Sequence, residues 1–258
     1  MVESVQTGLI HAAHVAQESE LKRSPNGVRF AAIGENSLAT ADLEHLVQAV
    51  PGIVAAALDK RAFYFVPLAL SEHAGDAPDA GDTLVALNHT PEWSEQAVCH
   101  RDVRLGELDA VFISTRLLAD RFALAFEFFI NVGHAFVDAA GIPERFSELV
   151  WTQALADVRG ESSHDAWENR ALALASAKSQ GKMQIDEKAK TSFIEAAFAD
   201  AVAIYQLSLA VDFDYAELRE REYPLLAPQA LAERLRLVAR LFPPNPGYEF
   251  AIRYRRRN

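Results

Sequence analysis

The sequence predicts an α+β fold. A mostly antiparallel, sheet-rich N-terminal half with one short helix is followed by a helical C-terminal half and a final strand that can rejoin the sheet. Three observations lead there. Residues 28–116 break into short β-branched and aromatic runs separated by turn residues. From Arg116 onward the apolar spacing changes to a helical period sustained over long segments. After the rigid connector Pro243-Pro244-Asn245-Pro246-Gly247, Tyr248 to Arg255 alternates aromatic and apolar residues with polar ones again. Four stretches result: 1–27, a helix and loop; 28–116, sheet-rich; 117–242, helical; and 243–258, a strand with a basic tail.

In order, Leu9, Ile10, Ala13 and Ala16 form a weak helical stripe, and Ser24-Pro25-Asn26-Gly27 is a turn. Val28–Gly34 reads as a strand. Thr40 has the chemistry of an N-cap for a helix over Ala41–Val50, stopped by Pro51-Gly52. Ile53–Leu58 is apolar and strand-like, and Phe63-Tyr64-Phe65-Val66 begins another strand. Ser71–Asp82 is a loop by its Gly, Pro, Ala and Asp content. Thr83–Leu87, Ala97–Leu105 and Ala110–Thr115 complete the sheet. Five helices follow: Leu117–Ala140, ended by Gly141-Ile142-Pro143; Glu144–Val158; one from a Ser162 or Ser163 cap to about Ser179; Asp186–Val211; and Pro228–Leu241.

The chain has 258 residues, enough for one large domain or two modest ones. Its 36 acids against 25 bases give a formal charge of −11. That disfavours nucleic acid and anionic membrane as partners, because both need clustered Lys and Arg. The basic cluster Arg253–Arg257 reads as a solvated tail or strand end. A single cysteine, Cys99, rules out an intramolecular disulfide. Met1-Val2-Glu3-Ser4 has neither the charge nor the apolar run of a signal segment, and no stretch of about 18 uninterrupted apolar residues reads as a membrane span. The expected location is the cytoplasm.

The sharpest pattern lies in Leu117–Ala140. Glu127, Asn131, His134 and Asp138 are spaced by four, three and four, which places them on one stripe of an otherwise apolar helix, and Asp120 extends the stripe. Two readings stand. The stripe is the solvated side of an amphipathic helix, or it is a site whose buried polar atoms are satisfied by a ligand. On the site reading, Glu127 and His134 serve as catalytic acid and base. His134 and Asp138, at i and i+4, would ligate a divalent metal together with His164. His-Glu-x-x-His is absent, and the position three before His134 is Asn131, where a Glu-x-x-His pair would need a glutamate.

His134 followed by His164-Asp165 resembles, in outline, the metal-dependent phosphohydrolases of the HD type, a resemblance that implies a metal site. The flank Arg159-Gly160-Glu161-Ser162-Ser163 departs from the apolar helix that precedes the pair in that family. Asp165 also reads as a first-turn acid behind a serine N-cap. Cys99 and His100 fall next to each other on a strand, so they point to opposite faces and make no nucleophile–base pair. Cys99 is expected to face inward beside Val103 and Leu105, and His100 outward in a ladder with Asp102 and Arg104. His11, His14, His89 and the acids of Asp212-Phe213-Asp214 read as solvated.

Phosphate-loop, dinucleotide, nucleophile-elbow and Cys-x-x-Cys motifs are all absent. The functional expectation is a metal-dependent, hydrolase-like enzyme with a polar pocket beside helix 117–140. The alternative is a non-catalytic ligand-binding or protein-interaction module. The apolar helix 186–211 predicts either homo-oligomerisation or burial at the centre of the helical half.

Overall fold

A computed structural model describes residues 8–71, 83–118, 120–175, 185–218 and 223–252. The chain divides into two units, Met1–Phe128 and Phe129–Asn258. The first contains β1 (Leu9–His11), α1 (Ala12–Glu18), β2 (Lys22–Arg23), β3 (Arg29–Ala32), α2 (Thr40–Gln48), α3 (Gly52–Ala57), β4 (Arg61–Val66), β5 (Leu68–Ser71), β6 (Thr83–Ala86), α4 (Pro91–Ser94), β7 (Ala97–Val98), β8 (His100–Leu105) and β9 (Leu108–Ser114). It also takes in the first part of α5 (Arg121–Ala140). The second holds the rest of α5, then α6 (Glu144–Leu155), α7 (His164–Ala175), α8 (Glu187–Ala210), a short 3-10 turn at Tyr215–Leu218, and α9 (Pro228–Leu241).

The α+β class is as expected, and most strand pairings are antiparallel. A four-stranded sheet has the order β1-β6-β5-β7, and a five-stranded sheet the order β2-β3-β4-β9-β8. At the centre of the second sheet, β3 pairs with β4 and β4 with β9 in parallel. Parallel neighbours need a crossover, and a helix is the usual one. That explains why Ile53–Leu58, strand-like by composition, folds as α3: with α2 it forms the crossover from β3 to β4. Thr40 is the first residue of α2, whose cap is Ala39 without a side-chain bond. The C-terminal end of α2 is closed instead by Asn26, whose Nδ2 donates to the carbonyls of Val47 and Val50, both at 2.8 Å.

Two runs pass from one sheet into the other. The β4–β5 run breaks at Pro67, which has no N–H to give to a ladder. The expected single strand Ala97–Leu105 breaks at Cys99, so that β7 pairs with β5 while β8 pairs with β9. Ser114, buried at the end of β9, stitches the break. Its hydroxyl accepts from the Ala69 N–H at 2.7 Å and donates to the Val98 carbonyl at 2.5 Å.

Side-chain alternation gives the five-stranded sheet two apolar faces. Ala62, Tyr64, Val66, Ala110, Phe112 and Val103 pack with Ala12 and Val15 of α1. Phe63 and Phe65 point the other way, onto Phe128 of α5, with ring centroids 5.0 and 5.5 Å apart. Each such aromatic pair adds about 0.5–1.5 kcal/mol to simple area burial.

In the second unit α8 is the core helix. Seventeen of its 24 residues are buried, so its all-round apolarity is used inside the unit, the second of the two outcomes expected for it. Phe136, Phe146, Phe198 and Phe242 form its aromatic cluster. Both α5 and α8 are long and apolar enough to cross a bilayer, but 83% of the α8 window is buried, against 50% for α5. Tyr248–Ile252 forms no strand; Phe250 packs edge-on to Tyr205 of α8, which gives its alternating aromatics a packing role. The remainder of that expected strand, with the tail Arg253–Arg257, lies outside the described residues, as do the expected loop over 72–82 and the extension of α7 beyond Ala175.

Candidate functional site

In the first unit, His100 Nδ1 lies 2.5 Å from Glu127 Oε1. Glu127 comes from the half of α5 that covers the Phe63–Phe65 face, and His100 begins β8 at the sheet edge. A carboxylate only accepts hydrogen bonds, so Nδ1 carries the proton and donates it. This fixes the tautomer and leaves Nε2, which has no protein partner among the described residues, as the basic nitrogen. The Glu127 hydrogen bond raises the His100 pKa above its usual 6.5; burial opposes it, and the charges of Glu127 and Asp102 add to the rise. Both side chains are partly open, 37% and 20% exposed. The arrangement is a base and its orienting carboxylate, able to take a proton from a water or hydroxyl and return it.

The expected ladder differs. His100 pairs with Glu127, while Asp102 pairs with Arg61 at 3.4 Å. Cys99 is exposed at the bend between β7 and β8 rather than packed inward, because the break in the strand changes its phase. Burial, and then the charge of Glu127, push its thiol pKa up, so it stays protonated and weakly nucleophilic.

The helix stripe does not act as one group. Glu127 is half-buried on His100, Asn131 is buried, and His134 and Asp138 are exposed. His164 starts α7, where it faces Glu168 at 3.7 Å and the Tyr223 ring at 6.1 Å. Among the described residues no group of three His, Cys, Asp or Glu side chains is placed to hold a metal, so His134, Asp138 and His164 do not form one.

What His134 does sit near is Asp200. Gly133 of α5 packs so closely on α8 that an added Cβ would lie 2.5 Å from the Ala199 carbonyl oxygen. The next residues along each helix, His134 and Asp200, interact through charge. Asp200 is buried in α8. Ser162 donates to it at 2.8 Å, and Ser163 donates as well. Burial pushes the carboxyl up from 3.8 to about 6, opposed by the two serine hydrogen bonds and the charges of His134 and Arg234. Ser163 also caps α7, accepting from the Ala166 N–H at 3.2 Å.

The same loop carries a buried ion network. Glu161 shares its two carboxylate oxygens between Arg170 Nη1, at 3.1 Å, and Arg234 Nη1, at 2.9 Å. Arg170 also donates to the Val158 and Gly160 carbonyls, and Arg234 Nε donates to Gln153 at 2.8 Å. Arg234 is fully buried, and its Nη2 has no hydrogen-bond partner among the described residues. A backbone clasp holds the loop, with Glu161 bridged to Leu225 and Gly160 at φ +79 pressed on the Leu225 carbonyl. Only glycine tolerates that angle and that proximity. This cluster is enclosed, so its evident role is to fix the loop 159–163 and to cap α7. The pairing of Glu127 with His100 is open to solvent and is the stronger chemical site.

Sequence reasoning found Glu127 but assigned it to His134. Nothing in a separation of 27 residues announces the His100 partner. No protein-family model matches this chain, and no curated protein matches it at a significant level.

Proposed function

We propose that the protein is a hydrolase-like enzyme whose acid–base group is the His100–Glu127 pair. The observation that carries this is the 2.5 Å Nδ1–Oε1 hydrogen bond, which orients a partly exposed imidazole with a free Nε2. In the proposed step Nε2 takes a proton from water as the water oxygen attacks an ester, amide or phosphate centre. The imidazolium, stabilised by Glu127, then returns the proton to the leaving group. Proton transfer of this kind is worth about 10²–10⁴ in rate. The described residues offer no three-ligand metal group, so the chemistry assigned to this site is proton transfer by the dyad.

The test is hydrolysis of p-nitrophenyl acetate and p-nitrophenyl phosphate by wild type, His100→Gln, Glu127→Gln and Cys99→Ser. Wild type is expected to turn over one of the two. His100→Gln should lose about 10²-fold or more in kcat/KM, and Cys99→Ser should match wild type. Equal turnover by His100→Gln, or none by wild type on either substrate, would overturn the proposal.

A further inference from the structure

β8 closes one end of the five-stranded sheet. At six residues it is the longest strand with a free edge among the described residues; β1, β2 and β7, at the other sheet ends, have two or three. The phase of its pairing is set where the Ser114 N–H donates to the Cys99 carbonyl at 2.8 Å. Bonded and non-bonded pairs alternate along an antiparallel ladder, so Arg101, Val103 and Leu105 give their backbone groups to β9. The N–H and C=O of His100, Asp102 and Arg104 point outward, and no described backbone group meets them. An edge of this kind can accept another strand.

The same three residues place their side chains on the α5 face. Asp102 and Arg104 are 62% and 63% exposed, and each is backed by a charge of opposite sign: Arg61 lies 3.4 Å from Asp102, and Asp109 pairs with Arg104. Charges on an edge normally keep it from pairing. Alternating signs reverse that for one partner, a second copy of the same strand. Two copies of β8 related by a two-fold axis run antiparallel, with outward residues opposite one another. Centring the ladder on Asp102 sets two carboxylates face to face, and centring it on Arg104 sets two guanidiniums together; like charges directly opposite repel. Centring it on Arg101 runs the pairing past Cys99, where the strand leaves for the other sheet. Centring it on Val103 puts Asp102 opposite the partner's Arg104, and Arg104 opposite the partner's Asp102. The residue level with His100 is then the partner's Gly106, which has no side chain to cover the imidazole.

We propose that the protein forms a two-fold dimer through β8, in the register centred on Val103, which joins the five-stranded sheets of two copies edge to edge. Asp102 and Arg104 each exchange both backbone hydrogen bonds with their counterparts. Charge then alternates along Arg61, Asp102, the partner's Arg104 and the partner's Asp109, and the axis repeats the row. On the α1 face, the alkyl stem of Arg101 lies across the partner's Leu105. A single strand pair is small beside a standard interface of about 1,200–2,000 Å², so the dimer is reversible, with a Kd of about 10⁻⁶–10⁻⁴ M.

The experiment is sedimentation equilibrium of the full chain at low salt, up to about 500 µM, on wild type, Arg104→Asp, Asp102→Arg and an equimolar mixture of the two variants. Wild type is expected to be a monomer–dimer equilibrium. Each reversal turns both cross-strand attractions into repulsions and should weaken self-association about tenfold or more. In the mixture, one chain carries Asp at both positions and the other carries Arg at both, so a heterodimer should form; its recovery also shows that both variants are folded. Amide exchange at Asp102 and Arg104 should slow as wild-type concentration rises. A wild type that stays monomeric, a dimer indifferent to either reversal, or no association in the mixture would overturn the proposal.

Discussion

Replacing Glu161 by glutamine removes the shared anion from between two guanidiniums. Glu161 is fully buried, and the Arg170 and Arg234 side chains that flank it are 6% and 0% exposed. Glutamine has the same shape but only one acceptor oxygen. Its amide would turn N–H donors toward one of the two guanidiniums, which also donates. Breaking one side of a buried ion pair costs about 3–5 kcal/mol, because a charge is left uncompensated in a low-dielectric interior. The exposed Asp157 carboxylate, 3.6 Å from Arg170, is too well solvated to replace it. A loss of that size is a large part of a typical folding free energy of about 5–15 kcal/mol. Urea unfolding followed by tryptophan fluorescence reads it directly, since Trp151 and Trp167 lie on α6 and α7 beside the network. With a urea slope near 3 kcal/mol per molar, the midpoint should fall by about 1–1.7 M. A shift under about 0.3 M would refute the idea that the network is dry and mutually dependent.

Asp200→Asn tests the buried carboxyl. With its pKa raised from 3.8 to about 6 on folding, its stabilising contribution is complete below about pH 4. It falls by about 3 kcal/mol as pH rises through 6. The variant should flatten that slope in urea midpoints measured from pH 4 to 7.5. Ser114→Ala strands the Ala69 N–H and the Val98 carbonyl at the break between the sheets, and should cost about 1–3 kcal/mol by chemical unfolding. Gly160→Ala forces a Cβ onto the Leu225 carbonyl at positive φ. It should lower the melting temperature by several degrees, for a cost of about 2–5 kcal/mol.

The long elements were legible because one local signal dominated each. The runs Phe63–Val66, Ala110–Thr115, Leu117–Ala140 and Asp186–Val211 are apolar at a clear period, and each forms the expected strand or helix. Where composition and topology compete, topology wins. Ile53-Val54 favours a strand, yet the parallel pairing of β3 with β4 demands a helical crossover at that point. The strand 97–105 reads as continuous because nothing local marks Cys99 as the residue where pairing changes from β5 to β9. Two signals of the buried network were present in the sequence. Arg234 falls on the same stripe of α9 as Leu231, Leu235 and Val238, and Asp200 is a lone acid among apolar residues of α8. A charge in such a position implies a partner, but its identity lies at separations of 38 and 73 residues. His100 gave no such signal, since an alternating, charged edge strand is what a solvated ladder also looks like.

The most direct test of the His100–Glu127 pair is an NMR titration of the His100 imidazole in wild type and Glu127→Gln. A histidine whose pKa is raised on folding adds stability below its unfolded value of 6.5 and loses it as pH rises through the folded value. Wild-type His100 should therefore titrate above 6.5, and Glu127→Gln should bring it down, since its largest raising interaction is then gone. A His100 that titrates at or below 6.5 and is indifferent to Glu127→Gln would contradict the dyad and, with it, the acid–base role assigned to this site.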